Sequence, residues 1–217
     1  MNWKMKMNNY EEFLKLIEGF FDNKGIEELS LETNLRDASL NEDKKNPTYV
    51  YNYKNNLRVI SMDCISQKGY RSVYGVTDIK RSLNTVDAFL IDYNNDWYFI
   101  EFKDCKLSSK KDNIEKKGMA NWLMLLSILY DLGSEKCKKI IDLENPIQFA
   151  RDHLIYIVVC SATKDPYTYG QVKNYDLLGQ VYTPPCLYKF KDYLFKNAFA
   201  FTDVYFEQRF VKTFRYE

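Results

Sequence analysis

The sequence predicts an α/β (α+β) protein with a mixed central sheet flanked by helices, and three stretches carry that prediction. Residues 85–106 read as a β-hairpin, with apolar strands at 86–92 and 97–102 joined through Tyr93, Asn94, Asn95 and Asp96. Residues 113–132 read as a helix whose second half is apolar nearly all round, which places it inside the molecule. Leu154–Cys160 is an unbroken apolar run, the pattern of a strand covered on both faces and paired in parallel.

Taken in order, residues 9–21 form an amphipathic helix. Phe13, Leu14, Ile17, Phe20 and Phe21 fall on one side, and Asn8 or Asn9 supplies the cap. Residues 25–40 predict a second short helix, followed by a polar linker at 41–47. Residues 49–80 look β-rich, with strands expected at 49–53, 57–65 and 70–76. Gly133 is a natural stop for the apolar helix. His153, the one histidine, opens the buried strand, and without partners it reads as structural rather than as a base or metal ligand. Residues 161–185 contain Asp165-Pro166, Gly170, Gly179 and Pro184-Pro185 and read as loop. There Tyr167 and Tyr169, beside Lys164 and Lys173, either stack on bases or cover the sheet edge. Residues 188–196 and 203–214 read as helices, the latter with Phe206, Phe210 and Phe214 at four-residue spacing. The whole chain, 1–217, is expected to be one domain. Its core lies at about 85–161 and an aromatic-rich C-terminal elaboration at about 162–217.

Composition excludes more than it identifies. At 46% apolar and 28% charged the chain is ordinary for a globular protein, and a net charge of +1 makes no global case for nucleic acid. The distribution is more telling: residues 51–81 carry six basic and two acidic side chains, and 103–117 carry six and three. Such segments are either solvated loops or a surface that tracks phosphates. No glycine-rich nucleotide loop and no G-x-S-x-G elbow occurs. The five cysteines, Cys64, Cys105, Cys137, Cys160 and Cys186, show no C-x-x-C spacing and read as reduced cytoplasmic thiols. No signal peptide and no membrane span is expected.

Chemistry concentrates in the hairpin. Successive strand side chains point to opposite faces, so Trp97, Phe99, Glu101 and Lys103 share a face on which two ionisable groups follow core residues. A three-residue loop at 93–95 would set Asp87 across from Glu101, whereas a two- or four-residue loop would shift the pairing by one. Two carboxylates and a lysine at one hairpin end suit magnesium and phosphate, because magnesium commonly takes one or two carboxylates plus water and substrate oxygens.

Asp87 followed by Glu101-Phe102-Lys103 at the end of the next apolar strand resembles the D…E-x-K core of the PD-(D/E)xK nuclease superfamily. Val86 stands where that motif has its leading proline. The resemblance implies a restriction-endonuclease-like fold in which hairpin, helix and buried strand follow one another. It also implies a metal-dependent nuclease that hydrolyses phosphodiester bonds, on DNA ahead of RNA. Asp87, Glu101 and Lys103 would be catalytic, with Asp87 and Glu101 holding Mg2+ (or Mn2+). An acid on the first helix, Glu12 or Glu18, and a lysine on the helix at 113–132, Lys116 or Lys117, would be the further candidates. The alternative is the same fold without catalysis, a binding or interaction module whose aromatic tail serves a partner or a homo-oligomer.

Overall fold

The computed structural model describes residues 8–26, 29–41, 47–55, 57–75, 83–191 and 193–216. The chain opens with α1 (Asn9–Asn23), capped by the Asn8 side chain on the Glu11 amide. Then come β1 (Glu32–Asn34), α2 (Leu35–Ala38), the short pair β2 (Leu40–Asn41) and β3 (Thr48–Tyr49), and β4 (Arg58–Ser61). A wide helical turn at Cys64–Tyr70 runs into α3 (Arg71–Val73). The hairpin strands β5 (Ala88–Ile91) and β6 (Trp97–Lys103) precede the long α4 (Lys111–Leu132), α5 (Ser134–Cys137) and α6 (Pro146–His153). The chain closes with β7 (Leu154–Cys160), α7 (Pro166–Leu177), β8 (Asn197–Thr202) and α8 (Asp203–Arg209).

Six strands form one mixed sheet in the order β1-β4-β5-β6-β7-β8. Pairing is antiparallel from β1 to β6 and parallel from β6 to β8. The sheet is the middle layer. On one face α1 and α4 pack: Phe13 lies 4.9 Å from Phe89 and 5.2 Å from Trp97, and Trp122 lies 6.3 Å from Trp97 by ring centroid. On the other, Phe210 of the α8 end meets Tyr98 at 5.1 Å and Phe206 meets Phe102 at 6.1 Å. Alternate residues of β6 therefore serve opposite cores, as the strand period requires. β7 is buried at all seven positions, in keeping with parallel partners on both sides.

Several expected elements differ. The described residues of 25–40 (25–26 and 29–40) hold strand and one helical turn instead of a helix. Glu32–Asn34 pairs with β4, and the Asn34 side chain caps the turn through the Asp37 amide. Of three strands expected in 49–80, only Arg58–Ser61 joins the sheet, while residues 62–73 are helical. Ser61 Oγ accepts from the Cys64 amide and turns the chain away from the strand. Position 76 and most of the 41–47 linker lie outside the described residues. The stretch expected as loop contains α7, where Pro166 sits in the first turn behind the Asp165 cap. The described residues of 188–196 (188–191 and 193–196) form turns and isolated bridges rather than a helix, and β8 follows directly. Its alternating Asn-Ala-Phe-Ala-Phe-Thr is too short to distinguish from the flanking turn by pattern alone. Among the described residues, no helix is long and apolar enough to cross a membrane.

Candidate active site

The turn between β5 and β6 decides where the acids fall. The Asp92 amide bonds the Asp96 carbonyl, Asn95 has φ 64°, and Asp92 Oδ1 accepts from the Asn94 and Asp96 amides. This is the three-residue loop, with Asn in the left-handed conformation that it tolerates. The resulting register runs from Ile91↔Trp97 to Ala88↔Ile100. Just beyond it the ladder yields: the Asp87 amide bonds the Ile100 carbonyl, and Asp87 Oδ2 accepts from the Phe102 amide at 2.6 Å. Asp87 is thus pinned by its own carboxylate at the point where the strands part.

Glu101 is fully buried, and Lys103, two residues on, has its ammonium in contact with Glu101 Oε1. Lys103 Nζ also donates to Asn113 Oδ1 at 2.8 Å. One turn further along α4, Lys117 Nζ lies 2.8 Å from both Glu101 oxygens and 3.5 Å from Asp87 Oδ1. Glu101 Oε1 makes no well-angled hydrogen bond, yet both ammonium groups lie within ion-pair distance of it, so its charge is compensated. Gly118 lets the helix come this close. A Cβ there would stand 3.0 Å from the Tyr156 ring, whose hydroxyl donates to the Ile114 carbonyl.

The electrostatics follow from burial and charge. Burial first, then the neighbouring Glu101 charge, push the Asp87 carboxyl up to about 8, against the opposing pull of Lys117 and the Phe102 amide. Burial disfavours the charged form of Lys117, but the Glu101 and Asp87 carboxylates more than offset it and its pKa is raised.

These groups face a cleft of about 1120 Å³ whose wall includes Asp63, Asp87, Glu101, Lys103, Asn113 and Lys117. Among the described residues the lining holds six carboxylates and four lysines, so the cleft is not a bare basic track. No group of three or more His, Cys, Asp or Glu side chains gathers as a metal cage among those residues. Asp87 and Glu101 make a pair of oxygen donors beside open volume, which fits magnesium completed by water and phosphate oxygens.

Asp87, Glu101 and Lys103 come together. The other candidates separate. Glu12 pairs with Lys139 at 3.1 Å and Glu18 is exposed; neither lines the cleft. Lys116 points to solvent while Lys117 enters the site, because Lys117 borders the buried stripe of Ile114, Gly118, Asn121 and Leu125. His153 ends α6, with Nδ1 3.6 Å from Asp96 Oδ1 at the far end of the strands. Asn113 and Asp63 were not anticipated. Helical spacing puts Asn113 four residues before Lys117, a usable signal, whereas Asp63 was hidden inside a segment expected to be a strand. All five cysteines are free thiols.

The chain matches no family model, no curated protein and no solved structure.

Proposed function

We propose that this protein is a metal-dependent nuclease, a cytoplasmic enzyme that hydrolyses phosphodiester bonds of nucleic acid, DNA being the substrate class put ahead of RNA. The observation that carries the reading is the meeting of Asp87, Glu101 and Lys103 at one end of the hairpin, beside a large charged cleft. The order of antiparallel hairpin, helix α4 and parallel buried β7 supports a restriction-endonuclease-like core. Asp87 and Glu101 would hold Mg2+ or Mn2+, which when bound supplies a more acidic water and a polarised phosphoryl oxygen. Lys103, held by Asn113 and Glu101, is positioned to stabilise charge that develops on the phosphate. A cleft richer in carboxylates than lysines repels a polyanion unless a cation enters too, which favours metal dependence.

The test is cleavage of DNA and RNA by purified protein with Mg2+ or Mn2+. Asp87→Asn, Glu101→Gln and Lys103→Ala should each lower the rate by about 100-fold or more, with the circular dichroism spectrum unchanged. Absence of cutting by the wild type with either metal overturns the proposal.

One observation favours a second reading, a catalytically silent fold that acts as a binding module. Two ammonium groups, those of Lys103 and Lys117, already stand against the two acids, so the cluster carries its own counter-ions without a ligand. Thermal stabilisation by Mg2+ that disappears in Asp87→Asn supports the enzyme, and indifference to Mg2+ supports the silent fold.

A further inference from the structure

The position of the Lys117 ammonium carries more than charge balance. It sits between the two acids, 2.8 Å from both oxygens of Glu101 and 3.5 Å from Asp87 Oδ1. A magnesium ion bonded to the same carboxylates lies about 2.0–2.1 Å from their oxygens and therefore competes for the same space. Two cations a few ångströms apart in a partly buried site repel strongly, so the ammonium and the metal exclude each other. The two lysines differ in what holds them. Lys103 is fixed by the neutral Asn113 as well as by Glu101, whereas the Lys117 ammonium contacts, among the described residues, carboxylates alone. Lys117 is therefore the one with nothing to keep it once the carboxylates are taken. Its flexible four-carbon stem starts on the wall of the cleft, so the displaced charge has open volume to enter.

We propose that Lys117 is the resident counter-ion of the Asp87–Glu101 pair, and that a divalent cation displaces its ammonium into the cleft to serve as a second phosphate-binding charge beside Lys103. The proposal rests on the metal reading given above and adds a role for Lys117 that does not follow from the carboxylates themselves. It differs from a purely structural salt bridge in its consequence. A structural lysine strengthens the metal site by holding the acids together, whereas a competing lysine weakens it.

The probe is Mn2+ alone, titrated calorimetrically into the full chain without nucleic acid. Lys117→Met should bind Mn2+ at least about tenfold more tightly than the wild type, a shift of roughly 1.4 kcal/mol. Lys117→Gln, which keeps a hydrogen-bond donor but no charge, should shift in the same direction. A second measurement needs no variant: acylation of Lys117 by an amine-reactive reagent, read by mass spectrometry, should be slow in the metal-free wild type and accelerate as Mn2+ is added. Unchanged or weaker Mn2+ binding in the folded variants overturns the displacement while leaving the nuclease reading intact. So does Mn2+ binding with no rise in Lys117 labelling. If the wild type and both variants take up no Mn2+ at millimolar concentration, the displacement and the metal-dependent reading fall together.

Discussion

At the scale of single residues, Asp87 is where opposing forces are most nearly balanced. Its carboxylate is held by a backbone amide and a lysine, yet burial and Glu101 raise its pKa from 3.8 to about 8. A carboxyl whose folded pKa exceeds its unfolded value binds its proton more tightly in the native state. Its contribution to stability is complete below about pH 4 and is lost as pH rises through about 8. Metal-free wild type should therefore lose stability relative to Asp87→Asn as pH rises from about 4 to about 8. Parallel thermal melts across that range check it, and superimposable pH profiles would contradict it. Glu101 shows the complementary solution: it is buried completely but meets two ammonium groups.

At the scale of elements, the site depends on how near α4 lies to the sheet. Gly118 follows Lys117 directly, and its missing side chain is what allows the helix to rest on Tyr156 and Phe190. Gly118→Ala places a Cβ 3.0 Å from the Tyr156 ring and 3.2 Å from that of Phe190. The gain in helix propensity, about 1 kcal/mol, is smaller than the cost of overpacking, typically about 1–3 kcal/mol. Chemical denaturation should show a net loss, and equal or greater stability would mean that the aromatic rings yield freely. The hairpin was the most legible element, because Tyr93-Asn94-Asn95 offers turn chemistry and the strands alternate clearly. The helical segment at 62–73 was the least legible. Ile65, Tyr70 and Val73 are strand-forming types, and docking on α1, with Gly69 against Phe21, and on α4, where the Tyr70 hydroxyl meets Ser127, makes a helical course favourable there.

At the scale of the whole molecule, Trp97 ties the sheet to three helices packed on one of its faces. Its ring contacts Phe13 of α1 at 5.2 Å, Phe89 of β5 at 5.3 Å, Trp122 of α4 at 6.3 Å and Phe149 of α6 at 5.1 Å. Truncation to alanine removes all four contacts and leaves a cavity that rigid strands cannot close. Trp97→Ala should cost about 3–5 kcal/mol. The denaturant midpoint measures this, and a loss below about 1 kcal/mol would show that the surrounding rings repack. The same core places the chemistry: Trp97 and Phe99 anchor the face of β6 on which Glu101 and Lys103 follow.

What the chain determined by itself was local. Alternation along β6 put Glu101 and Lys103 on one face, the turn residues at 93–96 announced a hairpin whose register stayed open, and the apolar run of β7 announced a doubly covered strand. Those features follow from backbone period and turn sterics, which act between near neighbours. Tertiary structure decided the rest. It selected Lys117 over Lys116, turned Asp63 into the cleft wall, carried Glu12 and Glu18 elsewhere and added β8 to the sheet. Each of those outcomes depends on which distant surfaces meet, and burial energy summed over the whole core, rather than any residue's own preference, settles that.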